Sequence, residues 1–183
     1  NDSDAYNYGR NGSYLFDSDV NGIFSIPDNV IVCDEPFSVS WWEYEISTDT
    51  QYTWRLKNDC SIQWQQITTN HEMRINDVNV LSTPTITDEW VYFTFTYEPV
   101  SNTALLYKDS SLIDTATTGL SSTTDLSQLG YSSNSFDGKL DEFVIYNYIL
   151  NQSEITELYN LDAGKRADET SFYNKSKISY YND

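Results

Sequence analysis

FSVSWWEYEI, residues 37–46, alternates in the two-residue rhythm of a β-strand. Phe37, Val39 and Trp41 fall on one face, and Ser38, Ser40, Trp42 and Tyr44 fall on the other. Glu43 and Glu45 are also two apart and therefore share a face, ~6.6 Å from each other along the strand. Similar runs lie on both sides. YLF (14–16) and GIFSI (22–26) flank the polar segment DSDVN on the N-terminal side. Toward the C-terminus come YTWRLK (52–57), SIQWQQIT (61–68), HEMRI (71–75) and WVYFTFTYE (90–98). ALLYKD (104–109) and SLIDTA (111–116) read as a hairpin with Asp109 and Ser110 near its turn. LSQLGY (126–131) and FDGKLDEFVIYNY (136–148) complete the series, and no strand is read over 76–89. Short strands at roughly 8–12-residue spacing predict a sandwich or barrel rather than βαβ units.

One helix is expected over 151–162. Asn151 is followed three residues later by Glu154, a capping-box pair, and Leu150, Ile155, Leu158, Tyr159 and Leu161 keep helical spacing. Gly164 is a natural stop.

Composition agrees with an all-β chain. The 183 residues include 15 Tyr and 5 Trp, with abundant Ser, Thr and Asn and few strong helix formers. The length suits one domain with a sizeable core. The chain carries 28 acidic and 10 basic residues, net −18, which excludes nucleic acid and disfavours anionic membranes. No apolar run approaches the ~18 residues of a spanning helix. The absence of an initiator Met and of a signal-like segment suggests a mature product or an excised region. We divide the chain into a lead-in (1–13), one domain (14–164) and a polar tail (165–183). The tail holds Lys165, Arg166, Lys175 and Lys177 against Asp168, Glu169 and Asp183. It is either a solvated terminus or an arm that packs on an acidic body, its own or a neighbour's.

The segment FDGKLDEFVIYNYILNQSEITELYN (136–160) resembles the laminin-G-like branch of the concanavalin A-like lectin/glucanase superfamily. The likeness rests on a Gly, an Asp-Glu pair inside a strand, an apolar-aromatic strand end, then a short helix with Glu-Ile and Leu-Tyr. YLFDSDVNGIFSIPD is similar to the family's opening hairpin, and PFSVSWWEYEI to its aromatic strand, with Trp42 at the usual Trp position. DEWVYFTFTYEPVSNTALLYKDSSLI is similar to its strand–hairpin pair, although relatives often have Asp-Gly where this chain has Asp109-Ser110. The resemblance covers about residues 14–162. It implies a two-sheet antiparallel jelly roll with one short C-terminal helix, and a ligand face often shaped by the region corresponding to 50–85.

The resemblance also implies a structural calcium held by the opening hairpin and the acid of the Asp-Glu strand, which here means Asp141 with Asp17 or Asp19. Independently, Asp17, Asp19, Asn21 and Gly22 spell D-x-D-x-N-G, with Asp28 at the twelfth position. Strand-like flanks and Pro27 exclude an EF-hand, but such oxygen ligands still suit a hard cation. The alternative is a type I′ turn at Asn21-Gly22 beside solvated acids.

Glu43 and Glu45 have a separation compatible with glycoside hydrolysis, though the acid cluster of the family's glucanases lacks its third member here. Tyr52, Trp54, Arg55 and Trp64, among Gln63, Gln65 and Gln66, offer aromatic faces beside amide and guanidinium donors, a combination that suits sugar rings. The competing expectation is that these Trp are core. His71, the only histidine, is expected to be a surface or half-buried strand residue; zinc sites built from several His and Cys are excluded by its solitude. Cys33 and Cys60 are either a disulfide, which a secreted setting permits, or two separate buried thiols. The function expected from these features is a non-catalytic extracellular or surface-exposed binding module, recognising a glycan or a protein surface. The alternatives are a structural assembly component such as a viral or cell-surface fibre domain, oligomeric through its tail, and a polysaccharide hydrolase.

Overall fold

The computed structural model describes residues 6–8, 13–16, 23–27, 30–56, 60–121, 127–131, 134–161 and 163. The strands are β1 (Tyr6–Tyr8), β2 (Ser13–Phe16), β3 (Phe24–Ser25), β4 (Phe37–Glu45), β5 (Gln51–Leu56), β6 (Ile62–Ile67) and β7 (Asn70–Ile75). They continue with β8 (Val78–Pro84), β9 (Trp90–Glu98), β10 (Thr103–Lys108), β11 (Ser111–Thr117), β12 (Gln128–Leu129) and β13 (Gly138–Tyr146). Two antiparallel sheets form a sandwich. One has seven strands in the order β1-β2-β13-β4-β9-β10-β11, and the other six in the order β3-β12-β5-β6-β7-β8.

The alternation read from the sequence sets which side chains meet between the sheets. Phe37, Val39 and Trp41 of β4, with Phe93 and Phe95 of β9, pack against Trp54, Leu56, Ile62, Trp64, Met73, Ile75 and Leu81 of the other sheet. The outer face of the seven-stranded sheet is covered as well. There Trp42, Tyr92 and Tyr107 pack with Leu150 and Ile155, and Tyr159 stacks on Trp42 at 5.7 Å. The covering element is helix α1, which runs over 152–161. Its capping box forms as expected. Asn151 Oδ1 accepts the Ser153 and Glu154 N–H groups, and Glu154 Oε2 accepts the Asn151 N–H.

Turn chemistry fixes two hairpins. Asp109 and Ser110 both have positive φ (47° and 63°), so the β10–β11 connection is a two-residue turn of the expected kind. Asn76 and Asp77 (52° and 62°) make a second one between β7 and β8. Strand β8 lies in the stretch where the sequence reading places no strand. Its sequence VNVLSTP is polar and ends in proline, which a sheet tolerates at an edge, and β8 is the edge strand of its sheet. Gly138 opens β13 where the chain passes very close to β4. A Cβ there would overlap the Tyr44 carbonyl oxygen and the Phe136 ring, so only glycine permits the approach.

Cys33 and Cys60 are joined as a disulfide, which resolves the choice the sequence leaves open. The bridge ties the segment before β4 to the β5–β6 connection across a separation of 27 residues. Closing a loop of this size is worth about 3.5 kcal/mol in the chain-entropy account. Reduction should lower the melting temperature by about 10 °C; scans with and without dithiothreitol check this, and coincident transitions would contradict it.

Candidate functional site

The six-stranded sheet carries the four residues expected to contact a ligand, and it divides them. Trp54 and Trp64 are both 0 % exposed and point between the sheets, which corrects the expectation that they present faces to solvent. The reason is alternation: Trp54 shares its face with Leu56, and Trp64 shares its face with Ile62. Arg55 lies on the opposite, outer face, and a bulge between Tyr52 and Trp54 turns Tyr52 to the same side; both are half-buried. The Arg55 guanidinium sits 4.4 Å above the Tyr131 ring and 5.8 Å from the Tyr52 ring centre, and the two tyrosines meet edge-on at 5.1 Å. Tyr131 was not singled out from the sequence. It lies beyond β12, and only the β12–β5 pairing brings it beside Arg55. Directly across the sheet from Arg55 stand Gln128 and Gln63, and from Tyr52 stands Gln65, so amides surround the aromatic–guanidinium group.

The two glutamates of β4 sit on the inner face, the face of Phe37, Val39 and Trp41. Glu43 is 2 % exposed and Glu45 1 %, so neither belongs to a partly solvated surface. His71, on the inner face of β7 with Met73 and Ile75, is 2 % exposed, which corrects its expected place at or near the surface. The three side chains converge across the gap between the sheets. His71 Nε2 lies 2.8 Å from Glu43 Oε1 and 3.1 Å from Glu45 Oε2. Neither contact has the alignment of an N–H···O hydrogen bond. The other carboxylate oxygens are firmly held. Glu43 Oε2 accepts the indole N–H of Trp41 at 2.9 Å and of Trp64 at 3.0 Å. Glu45 Oε1 accepts Gln51 Nε2 at 2.8 Å, and the same nitrogen donates to Gln66 Oε1 at 2.7 Å and to the Ser47 carbonyl at 3.0 Å. The His71 ring stacks on Trp64 at 5.1 Å.

Electrostatics follow from this burial. Burial opposes the charged imidazole, but the negative charge of Glu43 and contacts with both carboxylates outweigh it and push His71 up to about 9. Burial, helped by the neighbouring charge of Glu43, raises Glu45 to about 7 despite its contacts with His71 and Gln51. The group could hold a metal ion, since its ligand atoms all lie within 4.8 Å of one another. It is not shaped as a hydrolase centre. A glycosidic bond must enter between the two carboxyl groups; here the imidazole occupies that position, and two sheets close over it.

Alternation places Glu43, Glu45 and His71 on apolar strand faces, a signal that was available in the sequence. Their meeting was not, because β4 and β7 belong to different sheets. At the same end of the sandwich, Thr48, Thr68, Thr69, Thr85 and Thr87 line a surface depression of about 350 Å³.

The expected calcium set is represented among the described residues by Asp141 alone; Asp17 and Asp19 lie outside them. Asp141 pairs across from Trp42, is buried, and its Oδ1 accepts the Glu142 N–H at 2.8 Å. The tail at 165–183 also lies outside the described residues.

The family described as the concanavalin A-like lectin/glucanases superfamily matches residues 20–156. Among solved structures, the receptor-binding domain of botulinum neurotoxin C/D mosaic serotype superposes with a TM-score of 0.68 at 17% identity, over 86% of this chain and 45% of that one. The binding domain of botulinum neurotoxin DC in complex with SialylT gives 0.67 at 14%, over 87% and 45%. The binding domain of Paraclostridial Mosquitocidal Protein 1 gives 0.64 at 16%, over 86% and 45%. The chain spans less than half the length of these structures, and the likeness is one of fold. Comparison with curated proteins finds no match.

Proposed function

We propose that this chain, which belongs to the concanavalin A-like lectin/glucanases superfamily, is a non-catalytic module that binds a glycan on the outer face of its six-stranded sheet. The observation that carries this reading is the half-buried group of Tyr52, Arg55 and Tyr131. Tyrosine rings receive the C–H face of a sugar, and a guanidinium donates to hydroxyl or carboxylate oxygens at its edge. Gln63, Gln65 and Gln128 beside them are buried and bonded within the protein, Gln63 Nε2 to Gln65 Oε1 and Gln128 Nε2 to the Gly130 carbonyl, so they line the group rather than add free amides.

The burial of Glu43 and Glu45 supports binding without turnover. The disulfide suits an oxidising, extracellular setting. One structural neighbour is recorded with SialylT, which makes acidic sugars a natural part of the test; Arg55 would pair with their carboxylate.

A panel of neutral and sialylated oligosaccharides, screened with the wild-type chain, tests the proposal. Arg55→Ala and Tyr131→Ala should each weaken the best ligand about tenfold or more, the loss of roughly one stacking or charge-assisted contact. A folded chain that binds nothing on the panel, or that binds equally well in both variants, would sink the assignment.

A further inference from the structure

We propose that Glu43, Glu45 and His71 form a buried centre for a divalent transition-metal ion of the zinc class, set between the two sheets. Three inward atoms define it: Glu43 Oε1, Glu45 Oε2 and His71 Nε2. All three are buried and none makes a hydrogen bond of proper geometry, although every other polar contact of the two carboxylates is well formed. Two carboxylate oxygens and an imidazole nitrogen held together at ion-pair distance can exchange the imidazole proton for a cation.

The dimensions suit zinc. A tetrahedral ion about 2.0–2.1 Å from its ligands holds them about 3.3 Å apart. The imidazole nitrogen is 2.8 Å and 3.1 Å from its two oxygen neighbours, so those two pairs need open by only a few tenths of an ångström, and all three ligand atoms already lie within 4.8 Å of one another.

The surroundings fix the ligands as an outer layer must. Trp41 and Trp64 anchor the far oxygen of Glu43, and Gln51 anchors that of Glu45. Gln51 is itself fixed by Gln66, by the Ser47 carbonyl and by the Asp137 N–H, which donates to its Oε1. Charge points the same way. Once the imidazole proton has left, two buried carboxylates and a neutral imidazole carry −2, which a divalent ion cancels in full. Binding would release any imidazole proton to solvent. Calcium is a poor occupant. It asks for six to eight oxygens, and this cluster supplies two with one nitrogen, beside indole N–H groups that donate and do not ligate. The site is independent of the glycan reading, since it lies on the other side of the six-stranded sheet from Tyr52 and Arg55.

Metal content of the full chain, melting scans and cobalt spectroscopy test the assignment. The wild-type protein should hold about one zinc per chain, and Zn2+ at a hundredfold excess over its Kd should raise the melting temperature by about 5–10 °C over chelator. Ca2+ should not reproduce the shift. Co2+ should give visible ligand-field bands that are lost in His71→Gln and in Glu45→Gln. A folded wild-type chain that takes up neither Zn2+ nor Co2+, and melts identically in Zn2+ and chelator, overturns the proposal. Stabilisation by Ca2+ alone, or cobalt bands unchanged in His71→Gln, does so too. The wild-type measurements decide the matter even if the variants fail to fold.

Discussion

Glu43→Ala should lower the melting temperature by about 10 °C, and by up to ~20 °C, the largest effect expected from any single charge removal in this chain. The carboxylate holds three partners from three strands: Trp41 on β4, Trp64 on β6 and His71 on β7. Truncation leaves two indole N–H groups without an acceptor in a dry core, at about 1–3 kcal/mol for each stranded group. It also removes the principal counter-charge of a buried imidazole, the kind of change that costs about 3–5 kcal/mol. These losses overlap, so about 3–5 kcal/mol is the expected total, or about 6–20 °C for a chain of this size. Glu43→Gln keeps the volume and one acceptor oxygen and should lose clearly less. Calorimetry on the two variants checks the ordering. Equal stability of Glu43→Ala and the wild type would mean that the cluster does not bridge the sheets.

Trp41→Ala should cost about 3–5 kcal/mol as well, for a different reason. Trp41 is the hub of the core: its ring lies 5.0 Å from Trp54, 5.3 Å from Trp64 and 5.5 Å from Phe93. The substitution opens a cavity that side chains on two rigid sheets cannot collapse to fill. Trp41→Phe retains most of the apolar contact but gives up the N–H to Glu43, so it should fall between wild type and alanine. A denaturation series across the three proteins, with unchanged slope against denaturant, would report the stability loss cleanly. If alanine proves as mild as phenylalanine, cavity formation is not the dominant cost.

Much of this architecture was legible because it is periodic. The alternation of FSVSWWEYEI assigns its faces correctly, the Asn151–Glu154 pair marks the helix start, and Asp109-Ser110 marks a turn. Strand β8 escaped because an edge strand buries little and tolerates polar residues and proline. Trp54 and Trp64 are buried because strand periodicity, not residue type, decides which face a side chain takes. Each indole shares a strand face with an aliphatic neighbour that packs in the core.

The strand pattern, the family likeness and the acidity of the chain are readable without a structure, since they depend on order and composition alone. That Glu43 and Glu45 meet His71, that Arg55 lies over Tyr131, and that Cys33 joins Cys60 follows from the packed fold. Each of these is a contact between segments far apart in the chain. Strand periodicity says which face a side chain takes, but sheet order and packing choose what lies opposite.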